Sequence, residues 1–261
     1  MSKDTHPAVD LAAVAGALEQ AGVGGFGLRV LPATGSTNDD LAALAREGAP
    51  DRTVLVADLQ TGGRGRLGRQ WEAPAGSSLA VSVLVRPALP VERWGWLPLL
   101  AGVAAVDAVA AVGVRAELKW PNDVRVGDRK LGGLLAEVVQ PDGVVLGIGL
   151  NTTMREDELP VPDATSLLLA GAERAERGPV LGALLVELDR RLRALEEAGG
   201  DPAASGLAAA YAERCGTLGR HVSLELPGGE VVEGVADAVD DQGGLVVGGR
   251  SFSAGDVTHL R

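Results

Sequence analysis

Residues 60–71 read QTGGRGRLGRQW and set Arg64, Arg66 and Arg69 among Gly62, Gly63, Gly65 and Gly68. The glycines leave the backbone free to move and to approach a ligand closely. The guanidiniums carry paired N–H donors that match a carboxylate or a phosphate. This is the chemistry of a mobile clamp for an anion; the plain alternative is a solvated surface loop. The stretch is neither a GxxxxGK(S/T) phosphate loop nor a dinucleotide GxGxxG that follows a strand and opens a helix.

A second cluster, KWPNDV (119–124), places Lys119 at a strand end. Pro121 blocks simple continuation, and Asn122 and Asp123 can turn polar groups inward. An ordinary turn beside a packed Trp120 explains it equally well. Lys130 opens the apolar strand KLGGLLAEVV and, taken alone, reads as a gatekeeper of a strand edge. If DVRV and KLGGLL pair through the Gly127-Asp128 turn, however, Asp123 and Lys130 come together. Gly132 and Gly133, like GIGLN ending at Asn151, permit close approach to a flat ligand or mark bulges. Trp71 stands where the cationic loop ends and can cover a ligand ring.

The elements that must hold these residues follow from periodicity. AVDLAAVAGALEQAG (8–22) has helical spacing at Leu11, Val14 and Leu18. In GSTNDDLAALAREG, Thr37 and Asp40 have capping-box spacing for a helix to about Glu47, which puts Ser36, Thr37 and Asn38 at a helix entrance. TVLVADL (53–59) is a buried strand that delivers the glycine-arginine loop, and SLAVSVLVR (78–86) alternates with period two. A helix from about 91 to 112 precedes four successive strands, ELKW, DVRV, KLGGLLAEVV and GVVLGIGL. Pro179 opens a helix whose leucines at 181, 184, 185, 188, 192 and 195 form one face, after an exposed charged loop GAERAERG. A second helix covers about 203–213. From His221 onward come HVSLEL, EVVEGVADAV, GLVVGG and SFSAGDVTHL, the pattern of a small β-barrel.

Composition narrows the partners. With 24 Lys+Arg against 35 Asp+Glu and net charge −11, a broad nucleic-acid surface or an anionic membrane would repel most of the molecule. The single Cys215 forms no internal disulfide and reads as a small buried hydrophobe. His6, His221 and His259 are too dispersed for a metal cluster or a Ser/His/Asp triad. No leader and no uninterrupted apolar span are present, so a cytoplasmic chain is expected. The residues ahead of 34 hold one helix, too little for a separate DNA-binding domain.

In order, STN, QTGGRGRLGRQW, KWPNDV, DRKLGGLLAE and GIGLN closely resemble the motifs of biotin protein ligases, and the resemblance spans about residues 34–261. It implies an α+β chain: a mixed β-sheet catalytic domain of the biotin/lipoate ligase type over 1–215, then an SH3-like barrel over 216–261. It implies ATP-dependent formation of biotinyl-5′-AMP and transfer of biotin to a lysine of a biotin carboxyl carrier protein, with magnesium. By the same resemblance Ser36, Thr37, Asn38 and Gln60 hold the biotin ring. Gly63, Arg64, Gly65, Arg66 and Trp71 form the loop over biotin and its adenylate, with Gly132 and Gly133 beside it. Lys130 faces the biotin carboxylate and the α-phosphate. Arg64, Arg69, Trp71, Asn122, Lys130 and Asn151 contact ATP, and Asp123 holds magnesium. Lys130, Arg66, Asp123 and Lys119 are the expected catalytic set. Leu67 departs from relatives that carry a further basic residue there. A lipoate or octanoate ligase of the same fold, and a sensor without activity, are the competing expectations.

Overall fold

The computed structural model of the chain describes residues 6–260; the outermost residues of the two expected spans, 1–5 and 261, lie outside the described residues. The main body contains α1 (Leu11–Gln20), β1 (Gly27–Leu31), α2 (Thr37–Arg46), β2 (Thr53–Ala57), β3 (Ser78–Val85), α3 (Trp96–Ala110), β4 (Glu117–Lys119), β5 (Asp123–Val126), β6 (Arg129–Val139), β7 (Gly143–Asn151), α4 (Arg177–Glu197) and α5 (Leu207–Arg214). Its seven strands form one mixed sheet in the order β1-β2-β3-β7-β6-β5-β4. Only β1 and β2 run parallel, joined across α2; every other pair is antiparallel.

The period-two alternation of β3 does not separate water from core, because all eight of its residues are buried. It separates two covered faces, as befits a strand near the middle of a sheet. On one face Val54, Val56, Val81, Val83, Leu146 and Ile148 pack with α3 and α4. On the other, Leu55, Leu84, Val139 and Val145 meet Leu41, Ala42 and Ala45 of α2. Among the described residues no helix is long and apolar enough to cross a membrane.

Several expected elements shift. The helix expected over 91–112 is a 3-10 turn, Val91–Arg93, followed by α3. Pro98 has no N–H to offer the Trp94 carbonyl, so it sits in the first turn of α3 and prevents a continuous helix. α4 begins at Arg177 rather than Pro179, and α5 at Leu207. Within GAERAERG, Arg177 is buried rather than exposed, because it pairs with Asp58 at 2.7 Å and donates to the Pro7 carbonyl at 2.8 Å. In α1 Val14 is buried but Leu11 is exposed. The helix seats through a close approach at Gly182 of α4, where a side-chain carbon would lie 2.9 Å from Ala17 Cβ.

The C-terminal sheet comprises β8 (His221–Glu225), β9 (Val231–Val239), β10 (Leu245–Val247), β11 (Arg250–Phe252) and β12 (Asp256–His259), ordered β11-β10-β9-β8-β12 and antiparallel throughout. The stretch SFSAGDVTHL is two strands, divided at Gly255, where a side-chain carbon would meet Leu224 at 2.5 Å. This sheet is fastened to the KWPNDV segment by hydrogen bonds. Trp120 N–H donates to Thr217 Oγ1 at 3.1 Å, and the same oxygen lies 3.1 Å from His259 Nε2. The surroundings hold the His259 imidazole neutral near pH 7. Burial, then the nearby charges of Arg220, Lys119 and Arg125, push its pKa from 6.5 down to about 4.

The sign of this linkage is set by the depressed folded value. The unfolded chain binds the His259 proton below pH 6.5, whereas the folded chain refuses it until about pH 4. The contribution to stability is complete above pH 6.5 and is lost as pH falls towards 4. The difference in denaturation midpoint between the native chain and His259→Asn should shrink over that range; a constant difference would mean the ring is already charged in the fold.

Candidate active site

The site begins as a change of side-chain size along one sheet face. Gly133, Gly149 and Ala80 stand side by side across β6, β7 and β3, and the next row is Leu135, Gly147 and Ser82. One row further, Leu84 and Val145 lie under α2. The row of Gly133, Gly149 and Ala80 lies beyond the end of α2, the next meets only the entrance of that helix, and together they form the floor of a cleft. The glycines are required there. A side-chain carbon at Gly147 would lie 2.3 Å from Asn38 Oδ1, and one at Gly149 would lie 2.7 Å from the Trp71 indole.

The N-terminus of α2 closes one end. Ser36, not Thr37, is the cap: its Oγ accepts from Asp39 N. Thr37 is drawn inward instead, with its N–H donating to Gln60 Oε1 at 2.8 Å and its Oγ1 3.0 Å from the same atom. Ser82 Oγ lies 2.7 Å from Thr37 Oγ1 and 2.6 Å from Asn38 Oδ1. Asn38 Nδ2 donates to Glu137 Oε2 at 2.7 Å and to the Leu135 carbonyl at 3.2 Å.

The other end is built by the β5–β6 hairpin. Its register shifts between Val124 and Arg125, so that Gly132 opposes Val124 but Lys130 opposes Arg125. A regular ladder would place Lys130 opposite Val126, with its side chain on the other face. The bulge turns it to the Asp123 side, where Nζ reaches Asp123 Oδ1 at 2.6 Å. The Lys130 backbone is fixed as well, through bonds with the Asp163 carbonyl and Thr165 N. No side chain intervenes at Gly133, where an added carbon would sit 3.6 Å from Nζ. Asn122 Nδ2 donates to the Leu134 carbonyl at 3.0 Å.

Over the cleft the glycine-arginine loop folds on itself. Trp71 N bonds the Gly63 carbonyl, Gly65 N bonds the Arg69 carbonyl, and Leu67 (φ 56°) and Gly68 (φ 74°) make a left-handed tip. Leu67 is a non-glycine there, at a cost of about 1 kcal/mol. At the loop's base a side-chain carbon on Gly63 would lie 2.5 Å from the Trp71 carbonyl oxygen. Arg64 pairs with Asp39 and, at 3.2 Å, with Glu137; Arg69 pairs with Asp256 of β12. Among the described residues Arg66 has no such partner. Burial lowers its pKa from the ordinary guanidinium range, and Asp256 and Asp123 oppose the shift. Burial likewise lowers Lys119, against the pull of Asp123. Trp71 Nε1 is buried without an acceptor among the described residues.

One cleft thus gathers Ser36, Thr37, Asn38 and Gln60 at one end, Asn122, Asp123, Lys130 and Gly133 at the other, and Arg64, Gly65, Arg66, Arg69 and Trp71 above. Gly63 is buried at the base of the loop. Lys119 lies in an adjoining cleft, which shares Arg69, Asn122 and Asp123 and is walled by Ser223, Glu225, Asp256 and Thr258 of the C-terminal sheet. Two expected residues stand outside. Asn151 is buried and spends its amide on the Thr165 carbonyl at 2.8 Å. Gly132 is pressed against the Gly149 carbonyl oxygen, 2.3 Å from where a side-chain carbon would sit. Sequence reasoning missed Asp39, Ser82, Glu137 and Asp256; Gly147 and Gly149 belong to the GIGLN stretch read above as permitting close approach, and both lie in the cleft floor. The only local signal was a polar residue, Ser82 or Glu137, inside an otherwise apolar strand. Among the described residues no group of three or more His, Cys, Asp or Glu side chains is placed to hold a metal ion.

Residues 30–151 match the biotin/lipoate A/B protein ligase family, and residues 217–260 match the biotin protein ligase C-terminal domain. The chain is 47% identical to the biotin–(acetyl-CoA-carboxylase) ligase of Mycobacterium tuberculosis, over 98% of this chain and 97% of that one. It superposes on the biotin protein ligase of Aquifex aeolicus in complex with biotin and ATP with TM-score 0.73 and 28% identity, covering 90% of this chain and 98% of the other. The Leishmania major biotin protein ligase in complex with biotinyl-5-AMP gives TM-score 0.61 at 25% identity, with the same coverage.

Replacing Gly149 by Ala should force the Trp71 ring off the floor. The expected outcome is a red-shifted tryptophan emission and a loss of about 1–3 kcal/mol in urea denaturation. An unchanged spectrum would mean that Trp71 does not rest on Gly149.

Proposed function

The chain belongs to the biotin protein ligases of the biotin/lipoate A/B protein ligase family, and from that premise we propose that it joins biotin to acetyl-CoA carboxylase at the expense of ATP. The acceptor in this reading is one lysine of the biotin carboxyl carrier protein. The observation that carries it is the placing of Lys130 at one end of a small-residue floor and of a polar subsite at the other, with the arginine loop above both.

The first step sets two anions against each other: a biotin carboxylate oxygen attacks the α-phosphorus of ATP, a C–O–P anhydride forms, and pyrophosphate leaves. Lys130, freed from Asp123, offsets charge on both the carboxylate and the phosphorus. Arg66, half-buried and without a carboxylate partner among the described residues, is the guanidinium available to the α-phosphate without breaking an ion pair. Arg69 and Lys119 face the adjoining cleft and serve the departing phosphates. The loop then excludes water from an anhydride that water would destroy. In the second step the acceptor amine attacks the biotinyl carbonyl, AMP leaves, and Asp123 receives the proton.

Magnesium fits this donor set only as an ion shared with ATP, since such ions take one or two carboxylates together with substrate phosphates and water. Asp123 would be the carboxylate, and the ion would screen the leaving pyrophosphate. We place the division between catalytic and C-terminal domains at residues 215 and 216.

Exchange of labelled pyrophosphate into ATP isolates the first step. Exchange with biotin but not with lipoate or octanoate is expected; exchange with either of the latter instead would overturn the substrate. Lys130→Ala should lower exchange by about two to three orders of magnitude with an unchanged melting profile. Arg66→Ala should speed release of biotinyl-5′-AMP about 10- to 100-fold; unchanged release would remove Arg66 from intermediate retention.

A further inference from the structure

Glu137 lies on β6 beyond the cleft lining, yet the buried end of the cleft is oriented by it. We infer that Glu137 is a positioning residue that sets the hydrogen-bond polarity of the biotin ring subsite through Asn38, Ser82 and Thr37; this rests on the biotin reading above.

Both amide hydrogens of Asn38 are spent on acceptors, Glu137 Oε2 at 2.7 Å and the Leu135 carbonyl at 3.2 Å. Turning the amide over would set Oδ1 against a carboxylate and a carbonyl, so its orientation is fixed. Asn38 Oδ1 then faces Ser82 Oγ at 2.6 Å and can only accept, so Ser82 donates its single proton there. Ser82 has none left for Thr37 Oγ1, 2.7 Å away. The Thr37 proton points inward, to Ser82 Oγ or to Gln60 Oε1, and in either case Thr37 presents only lone pairs to the cleft. Gln60 Oε1 is held by Thr37 N–H at 2.8 Å, so its amide presents N–H. An acceptor stands beside a donor, the complement of the N–H and C=O of a cyclic urea.

Asn38 and Ser82 are buried, so no bulk water can stand in for a missing partner. The other Glu137 oxygen receives Arg64 at 3.2 Å, which keeps the carboxylate turned to the chain. Without the carboxylate at 137, only the longer bond to the Leu135 carbonyl opposes turning Asn38 over. The Ser82 proton can then pass to Thr37 Oγ1, and the Thr37 proton can swing out to the cleft as a donor.

The test is pyrophosphate exchange with biotin and with its cyclic carbamate analogue, whose ring oxygen accepts where a ureido N–H donates. In Glu137→Met the KM for biotin should rise about tenfold, the loss of one buried hydrogen bond. The kcat and the KM for ATP should hold, and the preference for biotin over the carbamate should fall by a similar factor. Glu137→Gln keeps an acceptor oxygen and should restore both values. Ser82→Ala breaks the chain without touching the loop and should reproduce the loss of preference. Equal weakening towards both ligands, or a Gln variant as impaired as Met, would overturn the polarity role. Absence of biotin exchange in the native chain would instead overturn the functional reading itself.

Discussion

Everything in this molecule turns on one sheet face that has to be core at one end and floor at the other. Strand side chains alternate with period two, so a single face must change character along β3, β6 and β7 at the same level. It does so by size. Under α2 the row is Leu84 and Val145, and one row on it is Ser82 and Gly147, then Ala80, Gly149 and Gly133. The small rows forgo apolar burial of about 0.8 kcal/mol per methylene. The opposite face, filled by α3 and α4, and the apolar end beneath α2 supply the cohesion that permits the gap.

The second organising fact is electrostatic. The chain carries net charge −11 and still concentrates cations over the cleft. Most of them are paired at rest: Arg64 with Asp39 and Glu137, Arg69 with Asp256, Lys130 with Asp123. Such partly exposed pairs are individually weak, of the order of 1 kcal/mol or less. Phosphate and carboxylate ligands can therefore take over the cations at little cost. The pairs hold the loop and Lys130 near their working positions without locking them. The Arg69–Asp256 pair also joins the loop to the C-terminal sheet, which is itself tied to Trp120 by the neutral His259 and Thr217. Loop, adjoining cleft and C-terminal sheet are thus connected through these contacts.

The sequence by itself determined the local chemistry and the order of elements. The arginine loop, the helix entrance at Ser36 to Asn38 and the β5–β6 hairpin were legible because each depends on near neighbours, on glycine freedom, capping and turn residues. The pairing of Asp123 with Lys130 followed from the Gly127-Asp128 turn that separates them. Partnerships across the sheet were decided only by the tertiary structure. Ser82 meets Asn38 and Glu137 meets Arg64 at sequence separations of 44 and 73, and no periodicity encodes which strands become neighbours. For the same reason Asn151 and Gly132 carry the right residue types but lie off the cleft, one covered by the segment after β7, the other pressed into the sheet. The bulge beside Lys130 is the clearest case: one extra residue in the ladder decides whether that lysine faces the cleft or the opposite side of the sheet. Local sequence sets a side chain's chemistry, whereas strand register, a property of two chain segments together, sets where that chemistry points.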